Sequence, residues 1–473
     1  MKTITKELFE DMVTYLQKCI KDSKFAHITY IVGGAVRDYV MENPIKDIDL
    51  VVEMFEGGIE LANYLYQKGY TTSQPVIYAT YGTAMFHLKE YPDIELEVVQ
   101  TRGEQYHDKT TRNPVVSFAP LMEDCVRRDL TINALYLRIY DGKILDLTSN
   151  AINDISMKIC RTTNTNPDIV FNDDPLRILR VIRFACRYNF IIETNTFNSM
   201  KKFVDRLNII TQERITDEFS KILIGPNAVY GLTLIKDIGA MQYIIPELVE
   251  TFELEQNKYH IGTVWDHSLQ AVKVNKCKDD LVVVLACLLH DIGKIQTLSI
   301  DEKGGRHFYE HEVASATMVK DILTRMRYPN HIVNDVTFIV GKHMATKHFG
   351  DDLNKMKIKS FNKFVYSCKN ETIFNQLMAL IDADNNSHSH LYCLSNQVSN
   401  IMNVVAEQKT NGCFMVGYKL PINGYDVMET TGVKSGPDVQ KYLDFCVKLA
   451  FVNPKITKED CIKKIKNLKL KYL

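Results

Sequence analysis

Asp47 and Asp49 stand two residues apart, shortly after a turn written Gly33-Gly34-Ala35-Val36-Arg37-Asp38. Residues i and i+2 of a strand share a face, so a strand over 47–52 projects both carboxylates to one side. Such a pair suits two divalent ions roughly 3.5–4 Å apart, the arrangement of in-line nucleotidyl transfer. The glycine pair ends a β-branched and aromatic run, Ile28-Thr29-Tyr30-Ile31-Val32. A short helix starting there offers exposed backbone N–H groups to phosphate oxygens. Asp-x-Asp by itself is explained as well by two solvated acids on a surface turn; the Gly-Gly turn upstream is what favours catalysis.

A third acid is available downstream. The run 94–99 reads as a strand with a hairpin partner at 83–88, and Glu95 and Glu97 share one of its faces. One of them could complete a three-carboxylate site, orienting and deprotonating an attacking hydroxyl; exposed acids on an edge strand are the plainer alternative. Residues 103–124 form a long polar connection. After it comes Arg127-Arg128-Asp129-Leu130-Thr131-Ile132-Asn133, just ahead of another apolar strand. Neighbouring guanidiniums with Asp and Asn suit a triphosphate and a sugar, although a solvated helix end has the same composition.

Two further constellations lie along the chain. In Asp173-Asp174-Pro175-Leu176-Arg177, a helix placing Asp174 and Arg177 at i and i+3 would point them the same way. The carboxylate then accepts from the exocyclic amino group that cytosine and adenine share, while the guanidinium donates to the adjoining ring atoms. Asp before Pro is also a plain helix start. Arg180, Arg183 and Arg187 continue the stripe and suit RNA phosphates, or equally a solvated face. Later, His267, His290-Asp291, His311, His343 and Asp384 recur through an apolar region. His290-Asp291 ends the run 281–289, and burying both groups there is costly unless a metal or hydrogen bonds satisfy them. Imidazole and carboxylate together suit a divalent transition metal.

The elements that must position these groups follow from length and composition. A chain of 473 residues holds several domains. Residues 5–22 read as a helix with Leu8, Met12, Leu16 and Ile20 at helical spacing. Strands dominate to about residue 102, and 139–255 reads as mostly helical. A net charge of −1 gives no global attraction to nucleic acid, so RNA contact requires local basic stripes. No apolar run approaches the roughly 18 residues that span a bilayer, and the N-terminus lacks a secretory signal. Eleven scattered cysteines without a C-x-x-C pair point to reduced thiols and a cytoplasmic setting.

Gly33-Gly34-x-x-Arg37-Asp38, Asp47-x-Asp49, and Arg127-Arg128-Asp129-x-Thr131-Ile132-Asn133-Ala134 resemble the head motifs of bacterial-type tRNA CCA-adding nucleotidyltransferases and related poly(A) polymerases, in the polymerase-β-like superfamily. Asp173–Phe184 resembles their base-reading segment and Gln212-Glu213-Arg214-Ile215-Thr216-Asp217-Glu218 their neck motif. The six later His and Asp residues resemble the HD phosphohydrolase superfamily.

The resemblance implies an α/β nucleotidyltransferase head at 1–138 and a helical neck and body at 139–255. An all-α HD domain at 256–400 and a C-terminal helical segment at 401–473 follow. It implies Mg2+ on Asp47 and Asp49, with Glu97 rather than Glu95 as the third acid. Gly33, Gly34, Arg37, Arg128, Asp129 and Asn133 would hold the nucleotide's triphosphate and ribose. Asp174 and Arg177 would read its base, with Arg180 beside them, and Arg183, Arg187 and Arg214 would contact RNA. His267, His290, Asp291 and Asp384 would hold one transition metal (Mn, Ni or Fe) and His311 and His343 a second. The implied activity is addition of C, C and A to tRNA from CTP and ATP, alongside hydrolysis of RNA-end phosphates. The intact length of 103–124 favours the complete addition. A poly(A) polymerase, or a signalling or repair hydrolase with a nucleotide-binding head, is the competing expectation.

Overall fold

The computed structural model describes residues 3–79, 82–105, 115–257, 259–260, 262–349, 357–389, 391–466 and 468. Two compact units divide the chain, Met1–Ile244 and Ile245–Leu473.

The strands of the first unit are β1 (Thr29–Val32), β2 (Ile48–Val52), β3 (Val76–Tyr78), β4 (Thr83–Leu88), β5 (Tyr91–Gln100), β6 (Arg102–Gln105), β7 (Val115–Phe118), β8 (Leu135–Arg138) and β9 (Ile144–Asp146). Seven of them form a mixed sheet in the order β3-β4-β5-β2-β1-β8-β9, while β6 and β7 pair as a separate hairpin. Within that sheet β2 and β5 run parallel and set Asp49 opposite Glu97. The expected pairing of 83–88 with 94–99 is present as the antiparallel β4–β5 ladder.

Period-2 alternation explains why acids stand in a β-sheet core. Ile48, Leu50 and Val52 turn into one hydrophobic layer, where the helix Lys6–Ile20 contributes Phe9, Met12, Leu16 and Ile20 and the helix Gly57–Gln67 contributes Leu61, Ala62 and Leu65. Each such side chain contributes about 1.5–3 kcal/mol when fully buried. Val51 turns to the other face, with Tyr30, Leu121, Cys125 and Tyr136, and Asp49 shares that face. A one-residue slip would bury the acid among aliphatic side chains, so the apolar pattern fixes the register. Asp47 stands one residue ahead of β2. Of the expected apolar stripe on the first helix, Leu8 is only partly buried and Phe9 takes the inward position.

The expected single helix through Asp174 and Arg177 is instead two. One spans Pro167–Asp173 and the next Leu176–Tyr188. Asp174 between them is extended (φ −136°, ψ 98°). Proline disfavours a helical conformation in the residue before it, which ends the first helix there. The Asp174 carboxylate accepts the Leu176 backbone N–H at 3.1 Å, so it does begin the second helix as a cap. Helices Thr194–Lys202, Gln212–Leu223 and Ala228–Asp237 make up most of the remainder of this unit, in keeping with the mostly helical reading of 139–255. The stretch 103–124 contains the β6–β7 hairpin and the helix Leu121–Val126; its residues 106–114, and with them the reading of its length, lie outside the described residues.

In the second unit, the helix Leu281–Leu289 is buried at eight of its nine positions. Helices Val264–Val274, Asn330–Val340 and Glu371–Asn385 pack against it. The helix His311–Arg325 and a short ribbon, Leu298–Ile300 with Arg306–Phe308, lie alongside. Further on, Gly424–Thr431, Pro437–Ala450 and Lys458–Ile465 share a small core of Val427, Val439, Tyr442, Cys446, Cys461 and Ile465. The helix Lys458–Ile465 is therefore amphipathic, with Cys461 and Ile465 turned inward. All eleven cysteines are unpaired; eight are buried, and Cys277, Cys393 and Cys413 are partly exposed. No helix among the described residues is long and apolar enough to cross a membrane.

Candidate functional site

The first unit carries a cleft of about 690 Å3 between the Gly33 turn, the start of β2 and the helix Leu176–Tyr188. Gly33 has φ +73° and ψ −127°, a conformation closed to side-chain-bearing residues. A Cβ there would also stand 3.5 Å from the Arg128 guanidinium. The turn thus lets a phosphate-sized group approach the backbone at the start of the helix Gly34–Val40.

Asp47 and Asp49 line this cleft, and both also border a smaller pocket that holds Glu95 and Glu97. Glu97 is the strand neighbour of Asp49, whereas Glu95 pairs with His87 at 3.7 Å. Although its carboxylate opens onto the cleft, enclosure by the sheet pushes the Asp49 pKa up to about 6, helped by the charge of Glu97 and opposed by Arg128. The charge of Glu97 on the adjacent strand repels that of Asp49 unless a cation lies between them. That repulsion is the fit of this site to a divalent ion.

Ten Arg and Lys side chains and six acids line the cleft. Arg128 is held by Asp124 (2.9 Å) and Tyr136 (3.1 Å). Arg127 spans Asp124 (2.6 Å) and Glu104 (2.9 Å). Asp129 accepts from Asn133 Nδ2 at 3.1 Å and from Arg180 Nη2 at 2.7 Å. Burial alone would raise the Asp129 pKa, but Arg180 and Asn133 outweigh it and hold the carboxyl well below the usual range. Arg37 is buried, forked onto Asp38 at 2.9 Å twice and bonded to Asn133, with Tyr188 4.8 Å from its guanidinium carbon. It therefore acts largely through Asn133.

Asp174 and Arg177 face the same cleft despite the break between them. Arg177 is steadied by the Val170 carbonyl at 3.4 Å and Glu104 at 3.6 Å, and Asp174 lies 3.8 Å from Arg214. The arginine stripe is present, but it is not uniformly solvated. Arg180 is bound to Asp129, and Arg183 donates to buried Glu218 at 2.6 Å. Arg187 lies over Tyr188 at 5.2 Å. Arg183, Arg187 and Arg214 all reach the cleft lining.

Three positioning residues escaped sequence reasoning: Asp124, Glu104 and Glu218. Asp124 is fully buried and holds Arg127 and Arg128 at i+3 and i+4. That spacing within Asp-x-x-Arg-Arg is a readable signal.

The second unit gathers all six expected His and Asp residues. His267, His290 and Asp384 place ligand atoms within 4.8 Å of one another, and so do Asp291, His311 and His343. His290, His311 and His343 each donate Nδ1–H to a backbone carbonyl three residues earlier, at 3.0, 2.8 and 2.7 Å. His267 Nδ1 reaches Ser387 Oγ at 3.1 Å. This network leaves the four Nε2 lone pairs turned inward. His267 and His290 Nε2 are 3.2 Å apart, and His267 Nε2 is 3.2 Å from Asp384 Oδ1. Lone pairs that close repel without a cation. Ligands about 2.0–2.2 Å from an ion stand about 3.3 Å apart in a tetrahedral set, so the residues fit a metal.

Asp291, expected beside His267, His290 and Asp384, faces both groups. Its Oδ2 is 3.4 Å from His267 and His290, and its Oδ1 is 3.2 Å from His311 and 3.8 Å from His343. It can therefore bridge two ions. Burial depresses His267 to about 4 and His343 to about 3, which favours the neutral ligand form. Burial also opposes charge on His290, but Asp291 and Asp384 outweigh it and lift that ring to about 10, so an ion binding there takes the place of its Nε2 proton. Lys294 (2.6 Å from Asp291) and Lys347 (3.0 Å from Asp384) add cations that sequence reasoning missed, and His260 and His388 crowd His267 from outside.

Three family models match successive stretches of the chain. Residues 29–161 match the poly A polymerase head domain, 189–251 a probable RNA and SrmB-binding site of polymerase A, and 259–384 the HD domain. The multifunctional CCA protein of Neisseria meningitidis serogroup C is 31% identical over 334 residues, covering 68% of this chain and 74% of that protein. The tRNA nucleotidyltransferase cca2 of Schizosaccharomyces pombe is 24% identical, covering 93% and 92%. Among solved structures, the Bacillus stearothermophilus CCA-adding enzyme in complex with CTP aligns with a TM-score of 0.65 at 19% identity, covering 97% of this chain and 96% of that one. The Thermotoga maritima CCA-adding enzyme complexed with tRNA gives 0.62 at 19% identity, covering 97% and 94%.

Proposed function

The chain belongs to the family of CCA-adding tRNA nucleotidyltransferases, and from that premise we propose how its two sites act. The head at 1–138 and the neck and body at 139–255 extend tRNA 3′ ends with C, C and A from CTP and ATP. The observation that carries this reading is the cleft itself. Asp47 and Asp49 open onto a cleft ringed by guanidiniums, with Asp174 and Arg177 facing the same space and Glu97 beside Asp49 on the adjoining strand.

Asp47 and Asp49 with Glu97 would hold divalent ions, magnesium on this reading, which when bound neutralise the α-phosphate and acidify the attacking hydroxyl. Arg128 and the Gly33-Gly34 backbone hold the triphosphate. Asn133 and Asp129 hold the ribose, and Arg37 fixes Asn133. Glu97 stands ready to accept the proton of the tRNA's terminal hydroxyl. That oxygen forms the new bond to the α-phosphorus as the α–β bridge breaks and pyrophosphate leaves. Asp174 accepts from the exocyclic amino group of cytosine or adenine, and Arg177, propped by Glu104, donates beside it. Uracil and guanine would set a carbonyl against the carboxylate, which disfavours them. Arg183, Arg187 and Arg214 take acceptor-arm phosphates, each with its charge partly satisfied by protein.

The domain at 256–400 acts on RNA-end phosphates, terminal or cyclic. His267, His290, Asp291, Asp384, His311 and His343 would hold two transition-metal ions (Mn, Ni or Fe), which when bound supply a hydroxide at neutral pH. Lys294 and Lys347 steady the two carboxylates. Residues 401–473 form a helical appendage, and eleven unpaired thiols suit a reducing, cytoplasmic setting.

Incubating the protein with tRNA lacking CCA, plus CTP, ATP or both, tests the reading. One or two C residues with CTP and a completed CCA with both are expected. Long A tails without C would identify a poly(A) polymerase instead.

A further inference from the structure

Two lysines stand beside the His–Asp groups of the second unit, and both line the cavity of about 430 Å3 where those groups lie. Their surroundings assign them different work. An ammonium group carries three N–H donors and no acceptor. Lys294 uses all three, on Asp291 Oδ2 and Gln256 Oε1 at 2.6 Å each and on His260 Nε2 at 3.4 Å. Its side chain is only 4% exposed. Lys347 has two acceptors among the described residues, Asp384 Oδ2 and Asn385 Oδ1, both at 3.0 Å. Its side chain is 22% exposed, so the third N–H is open to the cavity.

The Asn385 amide that holds Lys347 is itself fixed in orientation. Gln397 Nε2 donates at 3.1 Å to the backbone carbonyl of Thr346, a group that only accepts. Gln397 therefore turns Oε1 the other way, where Asn385 Nδ2 and the Thr346 hydroxyl donate to it at 3.0 Å each. With Nδ2 engaged by Gln397, Asn385 presents Oδ1 to Lys347. Thr346, Asn385 and Gln397 are all buried, and such groups persist inside a protein where they are hydrogen-bonded. Their network ends on one ammonium. Steadying Asp384 takes a single N–H, whereas a grip from a second side also fixes where the third one points.

We infer that Lys347 contacts a phosphoryl oxygen of the substrate in this cavity, and that Asn385 and Gln397 position it for that contact. The inference rests on the phosphohydrolase reading and deepens it by naming the cation that meets the substrate. Lys294, with every donor taken, is left as the partner of Asp291. A phosphoryl group at the His–Asp groups carries its charge on non-bridging oxygens. A charge-assisted N–H bond to one of them is short and about twice as strong as a neutral one.

The test titrates inorganic phosphate into the full-length, Mn2+-loaded protein by calorimetry. Heat also seen with Asp291→Ala is subtracted, which removes binding at the head. Lys347→Met should weaken phosphate binding about tenfold or more, as loss of a hydrogen bond from a charged group implies, with bound Mn2+ unchanged. Lys347→Arg keeps the charge and should recover most of that loss. Asn385→Leu leaves the lysine in place but untethered, and should weaken phosphate binding by a smaller factor, again at unchanged Mn2+. Equal phosphate affinity in Lys347→Met overturns the proposal. So does a loss that tracks loss of Mn2+, which would make Lys347 a partner of Asp384 alone, or a wild type with no heat beyond that of Asp291→Ala. An Asn385→Leu protein that binds phosphate as the wild type does overturns the positioning role. Lys347-dependent phosphate binding without phosphate release from RNA ends would remove the hydrolase reading while leaving the phosphate contact standing.

Discussion

Asp49 shows how far one residue's chemistry depends on its neighbours. Its carboxyl is lifted to about 6 by enclosure and by Glu97, and a metal binds only the ionised form. Below about pH 6, protons compete with the ion, so nucleotidyl transfer at fixed, subsaturating Mg2+ should fall roughly tenfold per pH unit and recover as Mg2+ is raised. A rate profile at two metal concentrations checks this. An acid limb that ignores metal concentration would point to a different group. Arg177 makes a separate prediction. Replacing it with Ala should leave the carboxylate triad intact while costing discrimination. The CTP-to-UTP ratio of kcat/KM should drop by about tenfold or more, as a lost charged hydrogen bond of about 1.5–3 kcal/mol implies. A uniform loss for all four nucleotides would show that Arg177 holds phosphate or structure instead.

Among elements, the short helix Leu121–Val126 matters most. Arg127 and Arg128 follow its last residue, and Asp124 within it holds them both. Burial opposes ionisation of Asp124, but Arg128 and Arg127 outweigh it and hold its pKa at about 2. A depressed carboxyl stabilises the fold above its unfolded pKa of about 3.9 and loses that contribution as pH falls towards about 2. Asp124→Asn should thus destabilise the first unit at neutral pH by about 3–5 kcal/mol, the usual cost of breaking a buried pair. The difference from wild type should shrink below about pH 4. Chemical unfolding at pH 7 and pH 3 measures it; an equal deficit at both would mean that packing rather than charge is lost. Gly293 carries a comparable constraint in the other unit, since a Cβ there would lie 2.3 Å from the Ser315 backbone nitrogen.

For the whole molecule, the first unit has its own core around the sheet, and both His–Asp groups that could hold a metal lie in the second. Asp291 lies within reach of both groups of histidines in the second unit. Asp291→Ala should abolish phosphate release and lower the bound transition metal, while CCA addition stays within about twofold of wild type, as expected of sites in separate units that share no partner. Metal analysis and incorporation assays on one preparation decide this. Loss of CCA addition together with phosphatase activity would show that the two sites are linked.

Much of this was legible in the sequence because the signals were local. Asp47 and Asp49 needed only strand periodicity, Gly33 only a turn, and the ordered His and Asp residues only an apolar context that made their burial expensive. The fold class followed from the same motifs. What the linear order could not supply was the third dimension of charge. Strand alternation left Glu95 and Glu97 equal and only the family resemblance favoured Glu97; the parallel β2–β5 register is what sets it opposite Asp49. The helix expected through Asp174 and Arg177 was broken by Pro175, yet tertiary packing still turned both residues into one cleft. Glu104, Asp124 and Glu218 became partners of the arginines only through folding, and Asp291 became a bridge only when four histidines converged on it from separate helices. Residue type and spacing specify which chemistry is available, because they act over one or two turns of chain. Which charges neutralise one another is decided by contacts between residues far apart in sequence, and these exist only in the folded structure.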